Sequence, residues 1–224
     1  MSARKKELQS NTITPWLWLS LTCVLFFLIL VIAVRQPAVQ ALDQALIKSL
    51  DPIRTPSMVA FFSRFTDFAT GKLLSVIIAV FMVYLLLYKR YLSVIILPLF
   101  FLLERRTNVV LKDWVIRDRP PMHHLVHESG YSFPSGHAMN ASTVYGLLIL
   151  LVLPLIKRRW IRVLWVVLGF SMILLVGFSR PLLRVHYFTD ILAGYCAGGF
   201  FVGLSAMFLI YWNKKTNGVK RRRE

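Results

Sequence analysis

The chain has 224 residues, 57% of them hydrophobic, and carries 27 Lys and Arg against 10 Asp and Glu, for a formal net charge of +17. Its mean hydropathy of +0.62 is well above ordinary globular usage. The apolar residues fall in long charge-free runs that leave too little polar surface for a soluble helical protein. The positive charge sits in short segments between and beyond these runs, which argues against a nucleic-acid partner.

Residues 1–14 are polar and include Arg4, Lys5 and Lys6. Pro15–Val34 is a run of 20 residues without a charge, long enough to cross a hydrocarbon core of about 30 Å. A basic start and the small-residue stretch Ala38-Val39-Gln40-Ala41 give it some likeness to a secretory signal. Its apolar core is longer than the roughly 7–15 residues usual for one, so a retained anchor is expected. Leu42, Leu46, Ile47 and Leu50 then recur at helical spacing with Asp43, Gln44 and Lys48 between them. This spacing predicts a short amphipathic helix on the membrane surface. Thr55-Pro56-Ser57 predicts the cap of a helix starting near Met58 that leads through Gly71 into a second span, Leu73–Tyr88. Tyr88-Lys89-Arg90-Tyr91 reads as a tight turn before the third span, Tyr91–Leu103. Glu104, Arg105 and Arg106 follow, and either a salt-bridge network or headgroup contacts would suit them.

The stretch from Asp113 to Phe133 is the longest polar interval between spans. With Pro120-Pro121 and Gly130 it reads as a structured loop. Ala138–Ile156, Val163–Phe178 and Ile191–Trp212 are the fourth, fifth and sixth spans, with Trp160 and Trp165 at the expected interfacial level of the fifth. Cys23 and Cys196 lie in apolar runs and read as buried thiols. The expected fold is thus all-α: one polytopic membrane domain over residues 1–224 with six transmembrane helices. Basic tails at 1–14 and 213–224 flank it, and a structured outer loop joins helices three and four.

Fifteen of the 27 basic residues fall at the N-terminus, at 89–90, at 157–162 and in the C-terminal tail. All of these lie on one side of a six-span layout, so the positive-inside rule places that side and both termini in the cytoplasm. The basic tail then suits anionic lipid headgroups. The loop between spans three and four and the junction between five and six meet on the opposite face.

Three motifs meet on that face. His186 and Asp190 are four apart at the start of a helical run and share one side of it. An Asp bonded to one ring nitrogen leaves the other as a nucleophile, although such a pair would equally tie helices together. Ser179 and Arg180 precede it. Arg offers a planar fork for phosphate oxygens, or it could snorkel to the headgroups. Pro134-Ser135-Gly136-His137 opens span four. There a helix N-terminus presents free N–H groups to an anion, Ser135 adds a hydroxyl, Gly136 allows close approach, and His137 could donate a proton. Pro and Ser are also ordinary helix-start residues. Lys112 and Arg119 place two cations before a Pro-Pro break. Together these groups suit phosphoryl transfer to a histidine without a metal or cofactor. His123, His124 and His127 lack strong ligand spacing, and Glu128 could pair with a nearby cation.

Lys112…Arg119-Pro120, Pro134-Ser135-Gly136-His137 and Ser179-Arg180…His186…Asp190 resemble, in order and spacing, the KxxxxxxRP, PSGH and SRxxxxxHxxxD signature of the type 2 phosphatidic acid phosphatases. Within the family the chain is most similar to the bacterial phosphatidylglycerophosphate phosphatase B group. The resemblance implies a metal-independent lipid phosphatase with six transmembrane helices. It implies His186 as the nucleophile that becomes a phosphohistidine, Asp190 as its orienting partner and His137 as the general acid. Lys112, Arg119, Ser135, Gly136 and Arg180 would bind the phosphate. Phosphatidylglycerophosphate, phosphatidate and undecaprenyl diphosphate are the substrates such groups act on. Vanadium haloperoxidases share the motif set but are soluble. A transporter or non-catalytic lipid-phosphate binding protein would need the cations but not the His186–Asp190 pair.

Overall fold

The structure is a computed structural model that describes the backbone of residues 12–221 and the side chains of residues 12–216. Arg4, Lys5, Lys6, Lys220, Arg221, Arg222 and Arg223, on which the lipid-contact expectation for the tails largely rests, lie outside the described side chains. Among the described residues every regular element is helical: α1 (Thr14–Ala33), α2 (Pro37–Ser49), α3 (Pro56–Phe65), α4 (Gly71–Leu87), α5 (Tyr91–Val115), α6 (Gly136–Val152), α7 (Arg159–Leu182) and α8 (Phe188–Arg221). Short 3-10 turns interrupt the sequence at Asp51–Ile53, Thr66–Ala69 and Leu153–Leu155.

Among the described residues four helices are long and apolar enough to cross a membrane: α1, α6 with the turn that follows it, α7 and α8. A fifth crossing is available if α3 and α4 count as one span, bent by 53° at Thr70. The helix α5 has 25 residues but carries Glu104, Arg105, Arg106, Lys112 and Asp113 in its second half. The expectation of six spans therefore depends on a helix whose hydropathy is diluted by charge. The apolar residues that face outward, such as Leu25 and Ile29 on α1, Val76 and Val80 on α4, Ile95 and Leu99 on α5 and Val167 and Phe170 on α7, form the surface a bilayer would cover.

Local signals in the sequence reappear in the structure. The Thr55 hydroxyl accepts from Met58 N at 3.3 Å, capping α3, with Pro56 in its first turn. Lys89 has φ of 55° in the tight turn between α4 and α5. The helix α2 forms as the apolar spacing requires, but not as a simple surface helix. Asp43, read among its polar positions, is buried, while Leu42 and Leu46 are exposed.

Close packing of α8 on α6 positions the site. A Cβ at Gly194 would lie 2.8 Å from both Ser135 O and Ala138 Cβ, so only glycine lets the two helix starts approach this closely. Ser135 N donates to Asp190 O at 3.1 Å across the same seam. The start of α8, with Asp190, is thereby fixed against the start of α6, with His137.

Candidate active site

His186 lies in the short junction between α7 and α8. The chain leaves α7 at Leu182 and turns through Arg184, whose φ is 61°. Leu183 N and Val185 N close the turn onto Ser179 O and Arg180 O. Arg54 caps this end of α7, donating to Leu182 O at 2.8 Å and Pro181 O at 3.2 Å. The turn aims the imidazole inward, where it is 1% exposed.

The two ring nitrogens of His186 meet different partners. Nδ1 lies 3.4 Å from Asp190 Oδ2 and 3.3 Å from Ser132 Oγ. Nε2 lies 3.2 Å from Arg119 Nη1. The tautomer with the proton on Nδ1 satisfies Asp190 and leaves a lone pair on Nε2 directed at the cation. Burial pushes the imidazole down to about 4. The Asp190 carboxylate opposes that shift, and the Arg180 and Arg119 charges add to it. The free site therefore holds a neutral histidine at ordinary pH.

Asp190 is fully buried, and both its oxygens are used. Oδ2 accepts from Ser132 Oγ at 2.5 Å and from Tyr187 N at 2.8 Å. Oδ1 accepts from Arg117 Nη1 at 2.6 Å. The sequence reading did not identify Ser132 or Arg117. Ser132 precedes the Phe-Pro-Ser-Gly-His run, and Arg117 stands two residues before Arg119, inside the first motif but at a position the motif leaves unspecified.

The cations gather around the same space. Arg180 is 1% exposed, so it is not a snorkelling arginine. Its Nη1 donates to Thr66 Oγ1 at 2.9 Å and its Nη2 pairs with Glu128. Arg119 donates to Val185 O, Gly130 O and Ser129 O, which ties the 129–131 segment of the loop to the α7–α8 turn. Burial holds its guanidinium below the usual range, against Glu128 and Asp190. Lys112 Nζ donates to Tyr131 O at 2.5 Å from the last turn of α5, behind Arg119.

His137 enters from the first turn of α6. Its Nδ1 is 3.7 Å from Glu128 Oε1, and it lies within the field of Arg180, His186, Lys112 and Arg119. Glu128 is thus the anion at the centre. Its Oε1 faces Arg180 and His137, and its Oε2 is 3.6 Å from Arg119.

Two residues expected to touch phosphate have other partners here. Ser135 is fully buried, and its hydroxyl accepts from Ala138 N at 3.5 Å as the α6 N-cap. At Gly136 an added Cβ would meet Asn108 Oδ1 at 3.0 Å, so close packing on α5 also requires a small residue there. Ser179 Oγ is bonded locally to Val176 O. Among the described residues no group of three or more His, Cys, Asp or Glu side chains is arranged to hold a metal ion.

Comparison with known proteins shows what the chain as a whole is similar to. Residues 87–215 match the family model of the PAP2 superfamily. Phosphatidylglycerophosphatase B of Bacillus subtilis (strain 168) is 36% identical over 189 residues, spanning 83% of this chain and 90% of the relative. The crystal structure of a transmembrane PAP2-type phosphatidylglycerolphosphate phosphatase from the same species matches with a TM-score of 0.76 at 33% identity, over 88% of this chain and 96% of that one. The crystal structure of Aquifex aeolicus LpxE shares the fold, with a TM-score of 0.56 at 23% identity over 72% and 92% of the two chains. With those matches spanning most of its length and the three motifs converging at one end of its helical bundle, the chain belongs to the PAP2 superfamily and is a membrane phosphatase.

Proposed function

We propose that the protein removes phosphate from a lipid phosphate, a monoester or a diphosphate, through a phosphohistidine on His186. The observation that carries this reading is the divided role of the His186 ring, with one nitrogen held towards a buried carboxylate and the other facing Arg119 at 3.2 Å. A protein that merely binds or transports an anion has no use for that orientation.

The reaction runs in two displacements. The substrate phosphate replaces the Glu128 carboxylate among Arg119, Arg180 and Lys112, which neutralise its oxygens. The Nε2 lone pair attacks phosphorus, the bond to the ester oxygen breaks, and His137 gives that oxygen its proton. Water then attacks the phosphohistidine, His137 takes a proton from the water, the N–P bond breaks, and phosphate leaves with His186 neutral again. Asp190 stabilises the ring while it carries positive charge. Three cationic side chains, Lys112, Arg119 and Arg180, offset that charge without a divalent ion. Ser135 and Gly136 would add N-terminal dipoles of α6 to the phosphate oxygens.

Phosphatidylglycerophosphate is the first substrate to test, given the relative that acts on it, with phosphatidate and undecaprenyl diphosphate beside it. The chain would cross the membrane six times, through α1, the α3–α4 pair, α5, α6, α7 and α8. Both termini would lie in the cytoplasm, the basic tail would rest on anionic lipid, and the site would face outward. The test is phosphate release from these three lipids by the purified protein, with and without EDTA and with orthovanadate. Release that survives EDTA, is inhibited by vanadate and is lost in His186→Ala is expected. Dependence on an added divalent ion, or full activity in His186→Ala, would overturn the mechanism.

A further inference from the structure

Asp190 is held by an ion cluster that reaches the periphery of the fold. Arg117 Nη1 donates to Asp190 Oδ1 at 2.6 Å and to Thr189 Oγ1 at 2.7 Å, and its Nη2 donates to Asp43 Oδ2 at 2.8 Å. Asp43 is 1% exposed and comes from α2, 74 residues before Arg117 in sequence. Its carboxylate also accepts from Thr189 Oγ1 at 2.5 Å and Thr189 N at 3.3 Å, which satisfies a free N–H at the start of α8. The guanidinium lies over the Tyr187 ring, 4.1 Å from its centroid, so it cannot rotate away without losing that contact. Arg117 is the one described side chain that bonds Oδ1 of Asp190, the oxygen turned away from His186.

We infer that Arg117, clamped by Asp43, is a positioning residue of the catalytic site. It fixes the plane of the Asp190 carboxylate so that Oδ2 meets the His186 ring, and it offsets part of the negative charge that the ring feels. Asp43 in turn holds Arg117 and tempers its charge. The inference rests on the reading of His186 as nucleophile and Asp190 as its partner.

The arrangement has a consequence that a mere staple between α2 and α8 would not. Asp190 favours the protonated form of His186, and Arg117 weakens that effect. Removing the Arg117 cation should therefore make His186 easier to protonate, moving the acid limb of kcat/KM to higher pH. Removing the Asp43 anion should do the opposite, because Arg117 then acts uncompensated. The other charged and titratable groups around the pair, namely Arg119, Lys112, Asp118 and Glu128 from α5 and the loop, Arg35 from the segment before α2, His137 from α6, Arg180 from α7 and the Tyr187 phenol, stay in place in both variants.

The experiment measures kcat and KM across pH for the full chain in detergent micelles. Dioctanoyl phosphatidate is the substrate and inorganic phosphate the competitive ligand. The wild type is compared with Arg117→Ala, Arg117→Lys, Asp43→Asn and His186→Ala. Arg117→Ala should lose about 10- to 100-fold in kcat, the range seen when an outer partner of a functional ligand is removed, with KM and the phosphate inhibition constant within about threefold. Arg117→Lys should recover part of the loss, because it restores the charge without the fork. The acid limb should move up in Arg117→Ala and down in Asp43→Asn. Shifts in the same direction, no shift, or kcat within about twofold of wild type in Arg117→Ala would overturn the inference. If Arg117→Ala does not fold, Arg117→Lys and Asp43→Asn still decide it, the first by its reduced kcat and the second by the sign of its shift. Activity in His186→Ala would instead strike at the nucleophile itself, so failure of the underlying reading is distinguishable from failure of this one.

Discussion

At the scale of residues, the buried imidazole of His186 dictates the pH response. Its pKa is pushed down to about 4, and the attacking form is the neutral ring. Activity of the free enzyme should therefore be present above that pH and fall as the pH drops through it. The kcat/KM profile should show its acid limb near pH 4. A limb near the ordinary imidazole value would contradict the burial and cation effects described above.

His137 reaches the site from one residue inside α6, where it can protonate an ester oxygen. A lipid alkoxide needs that proton and p-nitrophenolate does not. His137→Ala should thus lose much more activity on phosphatidate than on p-nitrophenyl phosphate, and equal losses would reduce His137 to a phosphate-positioning role. Glu128 stands among the cations that would hold phosphate. Glu128→Gln removes a competing charge and should tighten inhibition by inorganic phosphate by about threefold or more, given how strongly ion pairs act at partly buried sites. Weaker inhibition would mean that Glu128 assists phosphate binding.

At the scale of elements, the site depends on the two helix starts that Gly194 allows to meet. Gly194→Val should force α8 away from α6, cost about 1–3 kcal/mol and abolish activity, as read by thermal unfolding and phosphate release on the same sample. Retained activity with unchanged melting would show that the seam is looser than the contacts indicate. Much of this geometry could be read from sequence because it is local. The His186–Asp190 spacing, the Pro-Ser-Gly-His helix start and the Thr55 cap each announce themselves within a few residues. Asp43 and Arg117 do not. They meet across 74 residues, and within α2 an aspartate between apolar positions looks like part of a wet face. Only partners supplied from far along the chain, Arg117 and Thr189, make its burial tolerable. Ser135 shows the converse limit: its hydroxyl was legible as a polar group at a helix start, but whether it serves the cap or the phosphate depends on the fold around it. Both oxygens of Glu104 are buried without a hydrogen-bond partner among the described residues, which neither the sequence nor the packing explains.

At the scale of the whole molecule, the charge pattern and the converging motifs make one statement about orientation. The turns at 89–90 and 157–162 share one end of the bundle and the catalytic loop occupies the other, so the site should open outside the cytoplasm. In a background lacking Cys23 and Cys196, a cysteine at Met122 should react with an impermeant reagent on intact cells and one at Arg158 should not. The reverse pattern would invert the topology. The central claim, that phosphate passes through His186, is tested most directly by rapid acid-free quenching of the protein with radiolabelled phosphatidate. A covalent label that is stable to alkali, labile to acid, confined to the peptide bearing His186 and missing from His186→Ala is the expected result. Steady turnover with no trapped label, or a label on an aspartate or glutamate that alkali removes, would contradict it.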